Sequence, residues 1–238
     1  RLSFFAFLIS GVLLVLSSVV YYPKWKQSNT EATLSWDVSG YYIYLPAALI
    51  YKDIKQLKWW ESVADKYHPG PGMGQAFQHP SGNYVMKYPM GQALQFLPWF
   101  LTAHVLAEPL GYPADGFSRP YQVAISFGSL LVALLGLWFL RRVLKIYFAD
   151  RVVAAVLLTL VFGSNYLEYA GITGAMTHNW LFTLYCLLIF TTIQFYKKPT
   201  YGKAALIGIL VGWATLTRPT EIISALIPMF WGISSMAG

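Results

Sequence analysis

Charge is scarce in this 238-residue sequence, with 11% of positions Asp, Glu, Lys or Arg against about 25% in an ordinary soluble domain. A soluble globular enzyme is disfavoured on that ground alone. Cysteine is scarcer still: the single thiol, Cys186, lies inside an apolar run, which excludes a disulfide framework and any multi-cysteine metal site within the chain. Familiar catalytic signatures are missing too. There is no Gly-x-x-x-x-Gly-Lys-Ser/Thr loop, no Gly-x-Ser-x-Gly elbow and no His-Glu-x-x-His. Gly70, Gly72 and Gly74 alternate with other residues but follow no strand pattern, so they form no dinucleotide fingerprint. The absence of Asp-x-Asp argues against a divalent metal holding a nucleotide sugar. His68 and His79 flank the Gly-rich stretch without the Cys or carboxylate cluster that a zinc site needs. No internal repeat, low-complexity tail or Asn-x-Ser/Thr acceptor is present.

What fills the chain is apolar: 56% of residues are hydrophobic, 17% aromatic, and mean hydropathy is +0.48. These residues fall in runs of bilayer length rather than in amphipathic stripes. Leu2 to Val20 carries no charge and at about 1.5 Å per residue just crosses a hydrocarbon core. A cleaved signal peptide is the alternative, but no Ala-x-Ala-like site follows and further apolar segments come later. Five more runs read as spans, near 121–140, 152–166, 179–196, 204–216 and 222–237. The predicted architecture is an all-α polytopic membrane protein of about six spans, one transmembrane domain over 1–238. Residues 21–90 form its only sizeable extramembrane segment. The chain begins at Arg1 and its last run ends at Gly238 without a charged flank, which reads as a fragment of a longer protein.

The run from Gly91 to Ala107 decides the topology. It contains Gln92, Gln95, Pro98 and His104, and if it crossed, Arg141, Arg142 and Lys145 would lie opposite Arg1, against the positive-inside rule. Treated as an interfacial helix on the outer face, it lets the short flanks sort. Arg1, Arg141, Arg142, Lys145, Arg151, Lys197, Lys198 and Lys203 then fall inside, and only Arg119 and Arg218 fall outside. The +7 net charge therefore encodes topology and not a nucleic-acid surface. Residues 21–90, Asn165 to His178 and the turn Arg218-Pro219-Thr220-Glu221 all face the extracytoplasmic side, with the N-terminus cytoplasmic.

Chemistry must sit on those outer loops, since charge at the bilayer centre is costly. Asp37, in Trp36-Asp37-Val38-Ser39-Gly40-Tyr41-Tyr42, is placed to act as a general base for an acceptor hydroxyl or amine. Equally, Ser35 or Asp37 can serve as a helix N-cap. Lys87 precedes a helix start at Tyr88-Pro89-Met90-Gly91, where a cation and free N–H groups suit a phosphate; a snorkelling anchor is the plainer role. Glu168 and His178 offer hydroxyl-binding and phosphate- or sugar-binding groups, and a lone His near a helix start is often just a satisfied polar residue. Arg218 suits a phosphate bidentately, or an ion pair with Glu221 or Glu168.

At these places the sequence resembles the GT-C superfamily of polytopic membrane glycosyltransferases, which includes protein O-mannosyltransferases and lipid A aminoarabinose transferases. Trp36-Asp37 followed by Tyr41-Tyr42 and Leu45-Pro46 is similar to the family's first outer loop. Lys87-Tyr88-Pro89-Met90-Gly91 is similar to the stretch that opens its second juxtamembrane helix. Gly174-Ala175-Met176-Thr177-His178 and Arg218-Pro219-Thr220 look like later outer-face motifs of bacterial members. The resemblance implies transfer of a sugar from a polyprenyl-phosphate donor to a lipid, glycan or protein acceptor, in a bacterial inner membrane. Asp37 would be the base, Lys87, Arg218 and His178 would hold the donor phosphate, and Glu168, Tyr41 and Tyr42 would contact acceptor or sugar. Membrane lipid and lipid-linked sugar are the expected partners, with other membrane subunits as further ones, no nucleic acid, and no metal or resident cofactor. Two other classes compete: a noncatalytic membrane subunit of a transport, secretion or envelope-assembly complex, and a secondary transporter. The transporter is disfavoured by the lack of central charge and of repeats.

Overall fold

A computed structural model describes residues 1–70 and 72–231. Ten α-helices and one two-stranded hairpin occur among the described residues, and helix accounts for 72% of the structure. Three helices are long and apolar enough to cross a membrane, which marks the chain as a membrane protein. The first comprises α1 (Leu2–Leu16), a π-turn over Ser17–Tyr21 and a short turn at Lys24–Lys26. The second is α6 (Arg119–Tyr147), the third α8 (Thr177–Lys197). At 1.5 Å per residue the 29 residues of α6 extend about 43 Å, beyond a hydrocarbon core of about 30 Å.

The remaining predicted spans are shorter. Helix α7 (Asp150–Phe162) breaks at Gly163, and its chain continues through a π-turn at Glu168–Ile172. Helix α9 (Tyr201–Thr217) is entered by Thr200, whose side chain accepts from the Lys203 N–H. The segment after it is a 3₁₀ stretch at Pro219–Ala225 and a short α10 (Leu226–Phe230). It runs parallel to α8, because Tyr185 donates to Glu221 and, three turns further on, Tyr196 donates to the Pro228 carbonyl. Residues 232–237 of the last predicted span lie outside the described residues.

Helix packing fixes two ends. At one end, Ser3 of α1 donates to Asp150 of α7 and accepts from Arg141 near the end of α6. There Lys203 also donates to the Gln194 and Lys198 carbonyls at the end of α8. Further along, α6 and α8 are joined by Asn179 to the Ser129 carbonyl at 2.8 Å and Thr183 to the Val132 carbonyl at 2.9 Å. Such interhelical bonds satisfy groups that an apolar surrounding would leave bare.

Helix α5 (Gly91–Ala107) lies at the other end. Its Gly91 touches Leu216 and Thr217 in the last turn of α9, Phe96 packs on Trp180 in the first turn of α8, and His104 meets Tyr121 in the first turn of α6. All three partners belong to the same end of the bundle, and Trp99 lies over Gly128 further along α6, so α5 packs at that end against the first turns of α6.

The segment 21–90 is more structured than an open loop. It forms α2 (Trp36–Tyr42), α3 (Tyr44–Leu49), α4 (Trp60–Tyr67) and the antiparallel strands β1 (Ala76–Gln78) and β2 (Tyr84–Met86). The strands are a small departure from an all-α chain. An aromatic core joins this segment to α5: the ring of Tyr42 lies 5.5 to 6.3 Å from those of Phe96, Phe100 and Phe117. Large rings let a short segment bury enough surface to hold its shape, which is where much of the aromatic content goes.

Candidate functional site

The site is built on the first turn of α2. Ser35 precedes that helix but does not cap it, because its hydroxyl donates to the Thr30 and Ala32 carbonyls. Asp37 is not a cap either; it is the second residue of α2, and one carboxylate oxygen stands 3.7 Å from the Lys87 ammonium. The capping role open in the sequence is thus replaced by an ion pair. Both side chains are about half exposed, 44% and 52%, so the pair is reachable from outside and worth little to stability.

Lys87 reaches Asp37 because two features hold its strand. Its N–H donates to the Gln75 carbonyl at 2.9 Å, extending the β1–β2 ladder by one step. The next residue, Tyr88, packs on α2, where its ring lies 4.2 Å from that of Tyr41 at a tilt of 34° and passes over Gly40. A Cβ on Gly40 would come within 2.6 Å of that ring, so glycine is required for close approach and not for its backbone freedom. The Tyr88 hydroxyl and then the Asp37 carboxylate hold the Lys87 ammonium above its usual range. It therefore stays cationic through neutral pH.

Arg218 follows the last turn of α9, and His178 lies in the first turn of α8. Neither expected ion pair forms: Glu221 accepts from Tyr185, Glu168 is exposed without a side-chain partner, and Arg218 has no carboxylate within 4.0 Å among the described residues. His178 stacks on Tyr169 at 4.2 Å, while its Nδ1 and the neighbouring Thr177 hydroxyl are shielded and lack a hydrogen-bond partner. Lys87 and Gly91 are only four positions apart, at most about 14 Å of chain. Gly91 abuts the backbone of Leu216 and Thr217 so closely that a Cβ there would sit 2.3 Å from the Thr217 nitrogen. This contact sets the residue before Arg218 against the start of α5, a few residues along the chain from Lys87.

A cavity of about 110 Å³ opens beside Asp37, between the C-terminal end of the first long helix, residues 33–38 and the 170–176 turn. Its polar lining includes Ser18, Lys24, Thr33, Ser35 and Ser126, and Trp36 and Val38 on either side of Asp37 also line it. Trp36 is notable. Its backbone is left-handed at φ +49° and its side chain is 52% exposed, an arrangement of the kind that persists at functional sites when surrounding contacts hold it. The Trp36 N–H does so by donating to the Pro69 carbonyl at 2.7 Å. No spacing rule in the sequence pointed to that strain.

Three sequence expectations are corrected or separated. Tyr42 is fully buried, donates its hydroxyl to the Gly116 carbonyl and belongs to the aromatic core, so it contacts no ligand. Tyr41 is 4% exposed and serves to back Tyr88. Glu168 stands apart from the Asp37–Lys87 pair, at the start of the turn that walls the cavity. No group of three His, Cys, Asp or Glu side chains placed to hold a metal occurs among the described residues. Comparison of the chain with family models, with curated proteins and with solved structures yields no match.

Proposed function

We propose that the protein is a membrane glycosyltransferase that moves a sugar from a polyprenyl-phosphate donor to a lipid, glycan or protein acceptor on the extracytoplasmic face. The observation that carries this reading is the exposed Asp37–Lys87 pair next to a largely apolar cavity edged by hydroxyls, with Arg218, which has no carboxylate within 4.0 Å among the described residues, following the α9 turn that abuts Gly91. A base beside a cation is what the reaction needs. Asp37 takes the proton of the acceptor nucleophile as it attacks the anomeric carbon. The bond from that carbon to the donor phosphate breaks, and Lys87, Arg218 and His178 stabilise the charge growing on the departing phosphate. The unpartnered His178 Nδ1 and Thr177 hydroxyl are groups that phosphate oxygens would satisfy.

In this proposal six segments cross a bacterial inner membrane. The first long helix, α6, α7 with its continuation, α8, α9 and the segment from Pro219 onward do so, and α5 lies in the outer interface with the segment 21–90 above it. The site then faces outward at bilayer level, where the polyprenyl tail can lie between helices while its phosphate reaches Arg218.

The test separates chemistry from binding. Purified protein in nanodiscs is assayed for transfer from a panel of polyprenyl-phosphate sugars, and for binding of polyprenyl monophosphate alone. Asp37→Asn abolishes transfer and leaves binding intact, whereas Lys87→Ala and Arg218→Ala weaken binding. Full transfer by Asp37→Asn overturns the proposal.

A further inference from the structure

Arg119 is the other cation that breaks the inside bias of the short flanks, and the proposed transfer gives it no role. It begins α6 and faces a second hollow, of about 200 Å³, on the far side of residues 32–36 from the cavity beside Asp37. Those residues form a shared wall: Thr33 and Ser35 line the first cavity, Ala32 and Leu34 line the second. The second hollow is bordered by Trp25, Lys26, Asn29, Lys66, Arg119 and Gln122, and none of its lining residues is acidic.

Positive charge gathers here around a single aromatic ring. Lys26 stands 4.8 Å and Arg119 5.6 Å from the centre of the same Trp25 ring, so two cations converge on one indole. Both side chains are exposed and neither forms an ion pair among the described residues. The two nearby carboxylates are occupied elsewhere. Asp115 takes Lys66 at 3.0 Å, the Tyr67 hydroxyl and the N–H groups of Phe117 and Ser118. Glu31 takes Tyr22 and, at 4.0 Å, Lys24. The Trp25 indole N–H is shielded and has no acceptor. A planar guanidinium, an ammonium and a free indole N–H around one hollow suit the several oxygens of a phosphate.

We propose that this hollow is a phosphate-binding site separate from the transfer site, taking either a phospholipid headgroup or the phosphate of a soluble ligand. Arg119 supplies a two-pronged contact, Lys26 a second charge, and the Trp25 N–H a neutral donor. The occupant rests against the wall that carries Ser35, Trp36 and Asp37, so it sits beside the transfer site without entering it.

The full chain is placed in nanodiscs of phosphatidylcholine with a minor share of phosphatidylglycerol, and the lipid retained on release is counted by native mass spectrometry. The wild type keeps phosphatidylglycerol preferentially, and Lys26→Gln with Arg119→Gln lowers that preference about tenfold or more, the loss expected for charge-assisted contacts. Lys26→Gln alone, on an exposed side chain, gives a smaller loss and covers the case in which the double variant does not fold. The charge-keeping pair Lys26→Arg with Arg119→Lys restores retention. Displacement by inorganic phosphate identifies a soluble phosphate ligand, and resistance to it identifies a headgroup. Asp37→Asn retains the lipid like the wild type, so the outcome is independent of the transferase proposal. Equal retention by wild type and the Gln variants overturns the site.

Discussion

The two ends of the helix bundle treat polar groups in opposite ways. At the end formed by the start of α1, the end of α6 and the start of α7, one buried network is closed by its own side chains. Arg141 is buried between Phe4 and Trp138 and donates to Ser3, which donates to Asp150. Across the bundle, Asp37 and Lys87 pair in the open, Arg218 and Arg119 have no carboxylate, and His178, Thr177 and Trp25 hold shielded polar atoms without partners. The difference separates a network closed within the fold from polar groups that the fold leaves open. Satisfied networks rigidify a fold, whereas unsatisfied buried groups are costly unless something else completes them.

The largest effect that can test this contrast is catalytic. Asp37→Asn lowers transfer by about 100- to 10,000-fold, the usual range for losing a general base, while the thermal midpoint of the purified protein stays where it was. A midpoint that falls with activity would move Asp37 to the structural side of the comparison. Next comes Gly91→Val, which forces side-chain atoms into the Leu216–Thr217 backbone and destabilises by about 1 to 3 kcal/mol, as overpacking does. Thermal unfolding reads the loss. Polyprenyl monophosphate binding weakens with it, since α5 no longer seats beside Arg218.

Arg141→Leu follows, at about 1 to 3 kcal/mol, because it strands a hydrogen-bonded network at the satisfied end. Arg218→Leu is its counterpart and leaves the unfolding midpoint unchanged. Equal losses in the two variants would dissolve the distinction between the ends.

The smallest effect is alkaline. Burial first, then the Asp115 contact, pushes the Tyr67 hydroxyl up to about 12 from an ordinary value of 10.0. A group raised in the folded state stabilises fully below its unfolded value and loses that contribution as pH rises through the folded one. The segment 21–90 therefore weakens between pH 10 and about 12. The Lys66 ammonium, raised by Tyr67 and Asp115, follows the same sign at higher pH. Near-ultraviolet circular dichroism tracks the weakening, and Tyr67→Phe removes this step from the phenolate absorbance titration.

The long helices were legible because apolar runs leave little choice of partner. The segment 21–90 was not legible in the same way. Its helices are six to eight residues long, too short for period to declare them. Ser35 and Asp37 illustrate the limit: both suit an N-cap, but the Ser35 hydroxyl turns back to Thr30 and Ala32, and Asp37 finds Lys87. Tyr41 and Tyr42 adjoin a candidate base in sequence and yet point into packing, since successive helix positions face different ways.

By itself the sequence determined that this chain has helices apolar enough for a membrane and where its longest polar interruption falls. Scarcity of charge and the length of apolar runs suffice for that, because hydrophobic burial is non-directional and scales with composition. The tertiary structure decided which of its polar residues are satisfied by one another and which stand free. That depends on distances of a few ångströms between segments far apart in the chain, such as Asp37 with Lys87 and Gly91 with Thr217. Hydrogen bonds and ion pairs are directional and short-ranged, so only the folded arrangement can allot them.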